Sequence, residues 1–264
     1  MNKISVIIPS FKFKDLLIES LISIKLQKIK PYEILIISTK KILKKEKNKI
    51  CEIFGNIKFH NNIAGNASQN RNVGAKKAKG NYLAFLDDDD IWHNNYLKEI
   101  NKTIKKNPDA VFTWLNKIKH KRISKFKSLN EDITSSDLFD YNPGIIGSNI
   151  VIKKKIFLDL KGFDPKLRSS EDKDFLIRFL DKKYSFEILK KRYVYHRQLN
   201  TKQLSFDLEG KIYFLKKYAH RMSKKSFFLY KRKLILLNIK NVNIFKKLLY
   251  YLSYVYIQIL YKNS

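Results

Sequence analysis

With 264 residues, 44% of them hydrophobic, the chain can bury one large α/β core, and it is not a disordered polycation despite its formal net charge of +31. Cys51 is its only cysteine, which excludes an intrachain disulfide and points to a reducing compartment. The apolar run from Ile4 to Ile8 stops at Pro9, short of the roughly 7–15 residues of a signal-peptide core, and no stretch reaches the ~18 uncharged apolar residues of a membrane span.

The first strand is expected at "KISVIIPSF" (3–11), followed by an amphipathic helix from Asp15 to Gln27 with Leu17, Leu21 and Ile24 on one face. Pro31 ends that helix, and "YEILIIS" (32–38) reads as a second buried strand, so the opening is a βαβ unit that implies a parallel sheet. A lysine-rich helix over 40–54 and a short strand at 57–61 come next. In the segment 65–80, Ser68 suits a helix N-cap and Gly80 a left-handed stop, with Val73 and Ala78 facing inward between them. The strand "NYLAFL" (81–86) then puts Asp87, Asp88, Asp89 and Asp90 at its carboxyl end, the edge at which open α/β sheets bind ligands. Further on, the pattern predicts a helix from Tyr96 to Lys106, a strand at 110–114, and a strand with a short helix in 147–164 ending at Gly162. A helix follows in 169–183 and a last strand at 192–197, while 115–142 carries no clear periodicity.

Four adjacent carboxylates repel one another and need a reason to stay together. An EF-hand loop requires alternating acids and then a glycine, and Ile91 and Trp92 break that pattern. A helix cap needs one acid only. On an extended segment, Asp87 and Asp89 would face the same side, and two carboxylates at a sheet edge suit a hard cation shared with phosphate oxygens, Mg²⁺ or Mn²⁺. A solvated charge run is the plain alternative. Neither a Walker loop nor a Gly-x-Gly-x-x-Gly fingerprint is present, because Gly74 is followed by Ala75. Arg71 is either a nucleotide contact or an exposed helix arginine. Ser169-x-x-Asp172 fits a capping box, and Asp172 also stands where a general base would face the aspartates. His196 carries meaning only if the fold brings it beside a metal.

Taken in order, "ISVIIPSF", "NASQNRNVGAKKAKGNYLAFLDDDDIW", "LKGFDPKL" and "SSEDKDFLIRF" resemble the blocks of the inverting family 2 glycosyltransferases with the GT-A fold, over about residues 3–205. The resemblance implies an α/β, Rossmann-like, mainly parallel sheet flanked by helices. It also implies a nucleotide-sugar donor, a UDP-sugar being the expected form, and a cofactor of Mn²⁺ or Mg²⁺. By the same resemblance, Asp87 contacts the nucleotide's sugar, with Asp88 beside it at a variable position, and Asp89 ligates the metal that bridges the diphosphate. Arg71 approaches the nucleotide, and Pro9 and Phe11 border its base. Asp172 becomes the general base, Glu171 shapes the acceptor site, and His196 matches a histidine that some members place near the metal. One departure bears on the base: where the family carries an acid after the second strand, this chain has Ser38 and Thr39. Either a hydroxyl or backbone group substitutes, or nucleotide specificity differs. Phe11 and Lys12 likewise replace the common Tyr-Asn pair.

The chain therefore divides into a catalytic domain at 1–204 and a basic, aromatic helical extension at 205–264. Lysines flanking "FFLYKRK" and "LLYYLSYVYIQILY" suit docking on an anionic membrane surface, with packing on the catalytic domain or on another subunit as the alternative. The expected setting is cytoplasmic, peripheral on the inner face of the membrane, acting on a glycan or lipid-linked acceptor in surface-polysaccharide or lipooligosaccharide assembly. A nucleotidyltransferase would share such a metal-nucleotide core. A nucleic-acid-binding protein would use the positive charge, but no nucleic-acid module is recognisable and no nucleic-acid partner is expected.

Overall fold

The structure, a computed structural model, describes residues 2–11, 15–55, 57–120, 122–199, 207–239 and 255. Strands β1 (Ile4–Ser10), β2 (Glu33–Ser38), β3 (Ile57–Asn61) and β4 (Tyr82–Phe85) alternate with helices α1 (Asp15–Lys25), α2 (Lys44–Phe54) and α3 (Ala67–Lys77). All four strands run parallel, in the order β3-β2-β1-β4. The two-residue β5 (Ile91–Trp92) and α4 (Tyr96–Thr103) follow, then β6 (Ala110–Lys119), β7 (Arg122–Lys125) and α5 (Asp137–Asp140). The remaining elements are β8 (Ile150–Lys153), α6 (Lys154–Asp159), α7 (Glu171–Asp181), β9 (Phe186–Arg197), α8 (Leu208–Tyr218) and α9 (Lys224–Ile239).

The sheet continues from β4 through β8, β6 and β9 to β5, with β7 paired on β6. Strand β8 is antiparallel to both β4 and β6, whereas β6 and β9 are parallel. The result is the expected mixed, mostly parallel α/β sheet with helices on both faces. Side chains on successive strand positions point to opposite faces, so burial on both sides requires unbroken apolar runs. Val6, Ile8, Ala84, Leu86 and Val151 pack with α1, α2 and α4 on one face. Ile7, Leu83, Phe85, Ile150 and Ile152 pack with α3, α6, α7 and α8 on the other.

Several local expectations are corrected. Helix α3 is capped by Asn66, whose side chain accepts from the Gln69 amide at 2.9 Å, while Ser68 lies inside the helix and donates to the Leu167 carbonyl. The helix ends at Ala78, before Gly80. The segment without clear periodicity holds the second half of β6, all of β7 and α5, and β9 begins at Phe186 rather than near 192. Long parallel pairing of β6 with β9 carries these extensions, a non-local contact that no local pattern announces.

The described part of the extension packs on the catalytic core. Phe214 is fully buried, Tyr218 and Tyr230 nearly so, and all three belong to the cluster that contains Phe175 and Phe179 of α7. The Tyr218 hydroxyl donates to Asp174 at 2.7 Å, and Lys217 pairs with both Asp164 and Asp174. The run "LLYYLSYVYIQILY" lies outside the described residues except for Val255. Among the described residues, no helix is long and apolar enough to cross a membrane. Truncation Phe214→Ala should lower the unfolding free energy by about 3–5 kcal/mol, as for other buried aromatics. Urea denaturation measures it, and a loss below ~1 kcal/mol would show that α8 is not part of this core.

Candidate active site

The aspartate run does not continue as a strand. Strand β4 ends at Phe85 and the chain turns at Asp88–Asp89, with the Asp90 amide donating to the Asp87 carbonyl at 3.1 Å. The expected alternation of side chains along an extended segment therefore does not hold, and each acid has its own environment.

Asp87 turns toward α3. Its Oδ1 accepts from Arg71 Nη2 at 2.6 Å, and the other terminal nitrogen of Arg71 reaches Glu171 Oε1 at 3.0 Å. The Arg71 side chain is only 4% exposed, so it is not a surface helix arginine. Burial alone would favour its neutral form, but Asp87 and Glu171 outweigh that and hold the guanidinium charged. Its planar group lies 5.2 Å from the Phe163 ring centroid, and Nε is buried without a partner among the described residues. A side chain at position 147 would strike this group, since a Cβ there would sit 2.6 Å from Nη2; Gly147 is what admits the guanidinium.

Asp88 faces the end of β1, where one carboxyl oxygen accepts from the Phe11 amide at 3.2 Å. Burial pushes its carboxyl up to about 6, against hydrogen bonds from Ser10 and Phe11, with Asp87 and Asp90 adding to the rise. Asp89 is raised further, to about 8, first by burial and then by Asp90, Asp87 and Asp88, with His196 opposing. Asp90 is fully buried and structural. It accepts from the Ser148 hydroxyl at 2.6 Å and the Arg197 amide at 3.0 Å, and holds His196 Nδ1 at 3.0 Å. Strand β5 explains this meeting: immediately after Asp90 it pairs with β9, setting Ile91 opposite Tyr195, so His196 arrives beside the acids. Burial lowers the His196 imidazole, yet Asp90 and Asp89 overcome that and lift it to about 9.

The capping box expected at Ser169-x-x-Asp172 does not form. The Ser169 hydroxyl donates to the Asp207 carbonyl at 3.1 Å, and Ser170 occupies the N-cap at φ 67° with no side-chain capping bond. Asp172 is thereby released from a capping role. Its Oδ1 accepts from the Lys173 amide at 2.7 Å and its Oδ2 from Asn142 at 3.3 Å. Burial raises the Asp172 carboxyl, and burial together with Asp172 lifts Glu171 to about 7 despite Arg71.

The positions expected at the nucleotide base lie at the ends of β1 and β2. Pro9 is buried in register with Ile37, Ser10 pairs with Ser38, and the Phe11 ring is exposed just beyond. The Ser38 hydroxyl accepts from the Lys40 amide at 3.2 Å. Beside them stand side-chain amides, with Asn62 donating to Asn70 and Asn70 to the Ile37 carbonyl. Sequence reading missed Asn142, in the stretch without periodicity, and Gly147 and Ser148, at the start of the segment read as a strand and short helix.

Residues 5–160 match the family model of Glycosyl transferase family 2. The chain belongs to that family. Among curated relatives, an uncharacterised glycosyltransferase of Haemophilus influenzae is 33% identical over 122 residues, 43% of this chain and 40% of the relative. The poly(ribitol-phosphate) beta-N-acetylglucosaminyltransferase TarP of Staphylococcus aureus is 29% identical over 214 residues, 76% of this chain and 64% of TarP. The chain thus spans about two fifths and two thirds of the lengths of these relatives. Among solved structures, residues 1–349 of S. aureus TarS in complex with UDP-GlcNAc superpose with a TM-score of 0.62 at 19% identity, covering 92% of this chain and 68% of that one. This likeness carries the fold, GT-A.

Replacement Arg71→Met would leave Asp87 and Glu171 facing each other without their shared cation. It should cost about 3–5 kcal/mol of stability in urea melts, and adding Glu171→Gln should recover part of the loss. Unchanged stability in Arg71→Met would show that the pair is solvated.

Proposed function

We propose that the chain transfers a sugar from a nucleotide-sugar, a UDP-sugar, to a hydroxyl of a glycan or lipid-linked acceptor in cell-surface polysaccharide or lipooligosaccharide assembly, with inversion. The observation that carries this reading is the meeting, through Arg71, of the aspartate turn after β4 with the Glu171–Asp172 pair that opens α7. The donor class draws support from family membership and from the complex of TarS, a protein of the same fold, with UDP-GlcNAc.

In this reading Asp172 accepts the proton of the attacking hydroxyl. Asn142 and the Lys173 amide orient its two oxygens, and its raised affinity for protons makes it a better base than an exposed carboxylate. Glu171, tied to Arg71, keeps the base in register with the donor side. Pro9, Phe11 and Ser38 border the nucleotide base, and Asp87 and Asp88 the donor beyond it.

A divalent ion, Mn²⁺ or Mg²⁺, fits the residues present. Asp90 engages His196 Nδ1, as second partners of metal-bound imidazoles do, so Nε2 is the nitrogen that would meet a metal. Asp89 belongs to an acidic group with more negative charge than its surroundings stabilise, and a cation would relieve that. Among the described residues no three such ligands converge, so Asp89 and His196 would supply part of the shell, with diphosphate oxygens and water completing it. Bound there, the ion would neutralise charge developing on the departing diphosphate. The enzyme would work at the inner face of the cytoplasmic membrane, with residues 205–264 contributing basic and aromatic contacts, as a monomer or an oligomer.

Asp89→Ala should abolish the Mn²⁺-dependent part of UDP binding measured by calorimetry; identical binding with and without metal in wild type and variant sinks the site. Asp172→Asn should bind UDP normally and lose transfer by about 10²–10⁴-fold. Full transfer in that variant removes Asp172 from the base role. A chain ending after residue 239 should lose partition onto phosphatidylglycerol vesicles relative to the full chain; equal partition would take the final segment out of membrane docking.

A further inference from the structure

Beside Asp172 the fold places Lys173 and Lys211, and Lys233 acts on both, three lysines that the transfer chemistry above does not use. Lys173 follows Asp172 on α7, is 8% exposed, and lies 4.8 Å from the Phe214 ring centroid and 5.8 Å from that of Tyr230. Half-buried Lys211 comes from α8 and exposed Lys233 from α9. Their arrival is built into the backbone. Helix α8 starts with Asp207 accepting from the Gly210 amide at 2.8 Å, and Gly210 lies so close to Ser169 that a Cβ would sit 2.7 Å from its amide nitrogen. Lys211, the next residue, is therefore held against the start of α7. Helix α9 is fixed by Tyr230, stacked on Phe214 with centroids 5.6 Å apart and hydrogen-bonded to Ser170.

None of the three lysines forms an ion pair among the described residues. Asp172 is the first acid to act on Lys173 and Lys211; of the others, Glu171 pairs with Arg71, Asp207 caps α8, and Asp140 is exposed. The lysines also repel one another. After burial, Lys233 and Lys211 are what depress Lys173, to about 7, and Lys233 depresses Lys211. One carboxylate, Asp172, does not balance three lysines, and aromatic faces offset only part of the cost of burying the excess. Three lysines against a single carboxylate leave an excess of positive charge at the start of α7, and lysine is a point-charge binder of phosphate.

We propose that Lys173, Lys211 and Lys233 form a subsite that binds a phosphate ester of the acceptor and so presents a neighbouring hydroxyl to Asp172. This rests on the transfer reading above and narrows its acceptor to phosphate-bearing molecules. The lysines flank the base rather than the aspartate turn, so donor and acceptor phosphates would occupy separate places.

The test uses the full chain and sn-glycerol 3-phosphate, a hydroxyl beside a phosphate ester, titrated by ³¹P NMR with and without saturating UDP. Lys211→Ala/Lys233→Ala, on half-buried and exposed positions, should weaken the phosphate ester at least tenfold, with UDP affinity and Tm unchanged. Lys211→Arg/Lys233→Arg should restore it, and Lys173→Met should weaken it further if its Tm stays at the wild-type value. Three results overturn the proposal: equal affinity for the ester in wild type and double Ala variant, including no binding by either; a parallel loss of UDP binding, which would assign the lysines to the donor; or loss of binding to phosphatidylglycerol vesicles with ester binding intact, which would assign them to a membrane. Failure of wild type to bind UDP would overturn the donor reading alone, because the ester titration without UDP stands independently.

Discussion

One buried cation organises the site. Arg71 joins a carboxylate 16 positions downstream to another 100 positions downstream, so the ends of β4 and α7 cannot separate without exposing an uncompensated charge. A buried ion pair is a weak source of net stability compared with apolar packing, but breaking it from one side is expensive. That asymmetry suits a site that must hold two groups at fixed separation. The surroundings are shaped to the guanidinium: the Phe163 ring lies alongside it, and position 147 has no side chain to obstruct it.

The second constraint is negative charge. The four acids stay adjacent because the turn after β4 sends them to different surroundings: Asp87 to Arg71, Asp88 to the Phe11 amide, and Asp90 to a buried set of Ser148, His196 and Arg197. Among the described residues, only the Asp89 carboxylate of the four has no hydrogen-bond donor of its own; burial first, and then the repulsion of the other three, push it up to about 8. Asp90 makes the arrangement tolerable. It fixes the turn from within and aims His196 at the acids, while Trp92 donates to the Ser148 carbonyl at 2.9 Å and locks the next step of the chain.

The parallel half of the sheet was legible because strands buried on both faces must be continuously apolar, and "ISVII", "EILII" and "YLAFL" carry that mark. That Arg71, Asp87 and Glu171 meet was legible only through motif order, since Arg71 alone looks like any helix arginine. What escaped sequence reading was held by distant backbone: β5 is two residues long, and Asn142 acts from a loop with no periodicity. The capping-box expectation failed for a specific reason. The Ser169 hydroxyl is taken by Asp207, 38 positions away in sequence, and local capping chemistry has no means of registering that competitor.

The same competitor changes the meaning of the extension. Composition divides the chain near 205, yet the first described residues of the extension accept from Ser169 and lean Gly210 against it, immediately before the Glu171–Asp172 pair. Lys217 and Tyr218 then converge on Asp174, one turn into α7, and Phe214 and Tyr230 cover Lys173. Helix α7 thus joins its first acid, Glu171, to Arg71 and its third residue, Lys173, to the extension. An enzyme that must recognise its donor and its acceptor with one base between them needs two such faces. The positive charge that looked like a uniform habit of the chain is, at this point, placed by packing.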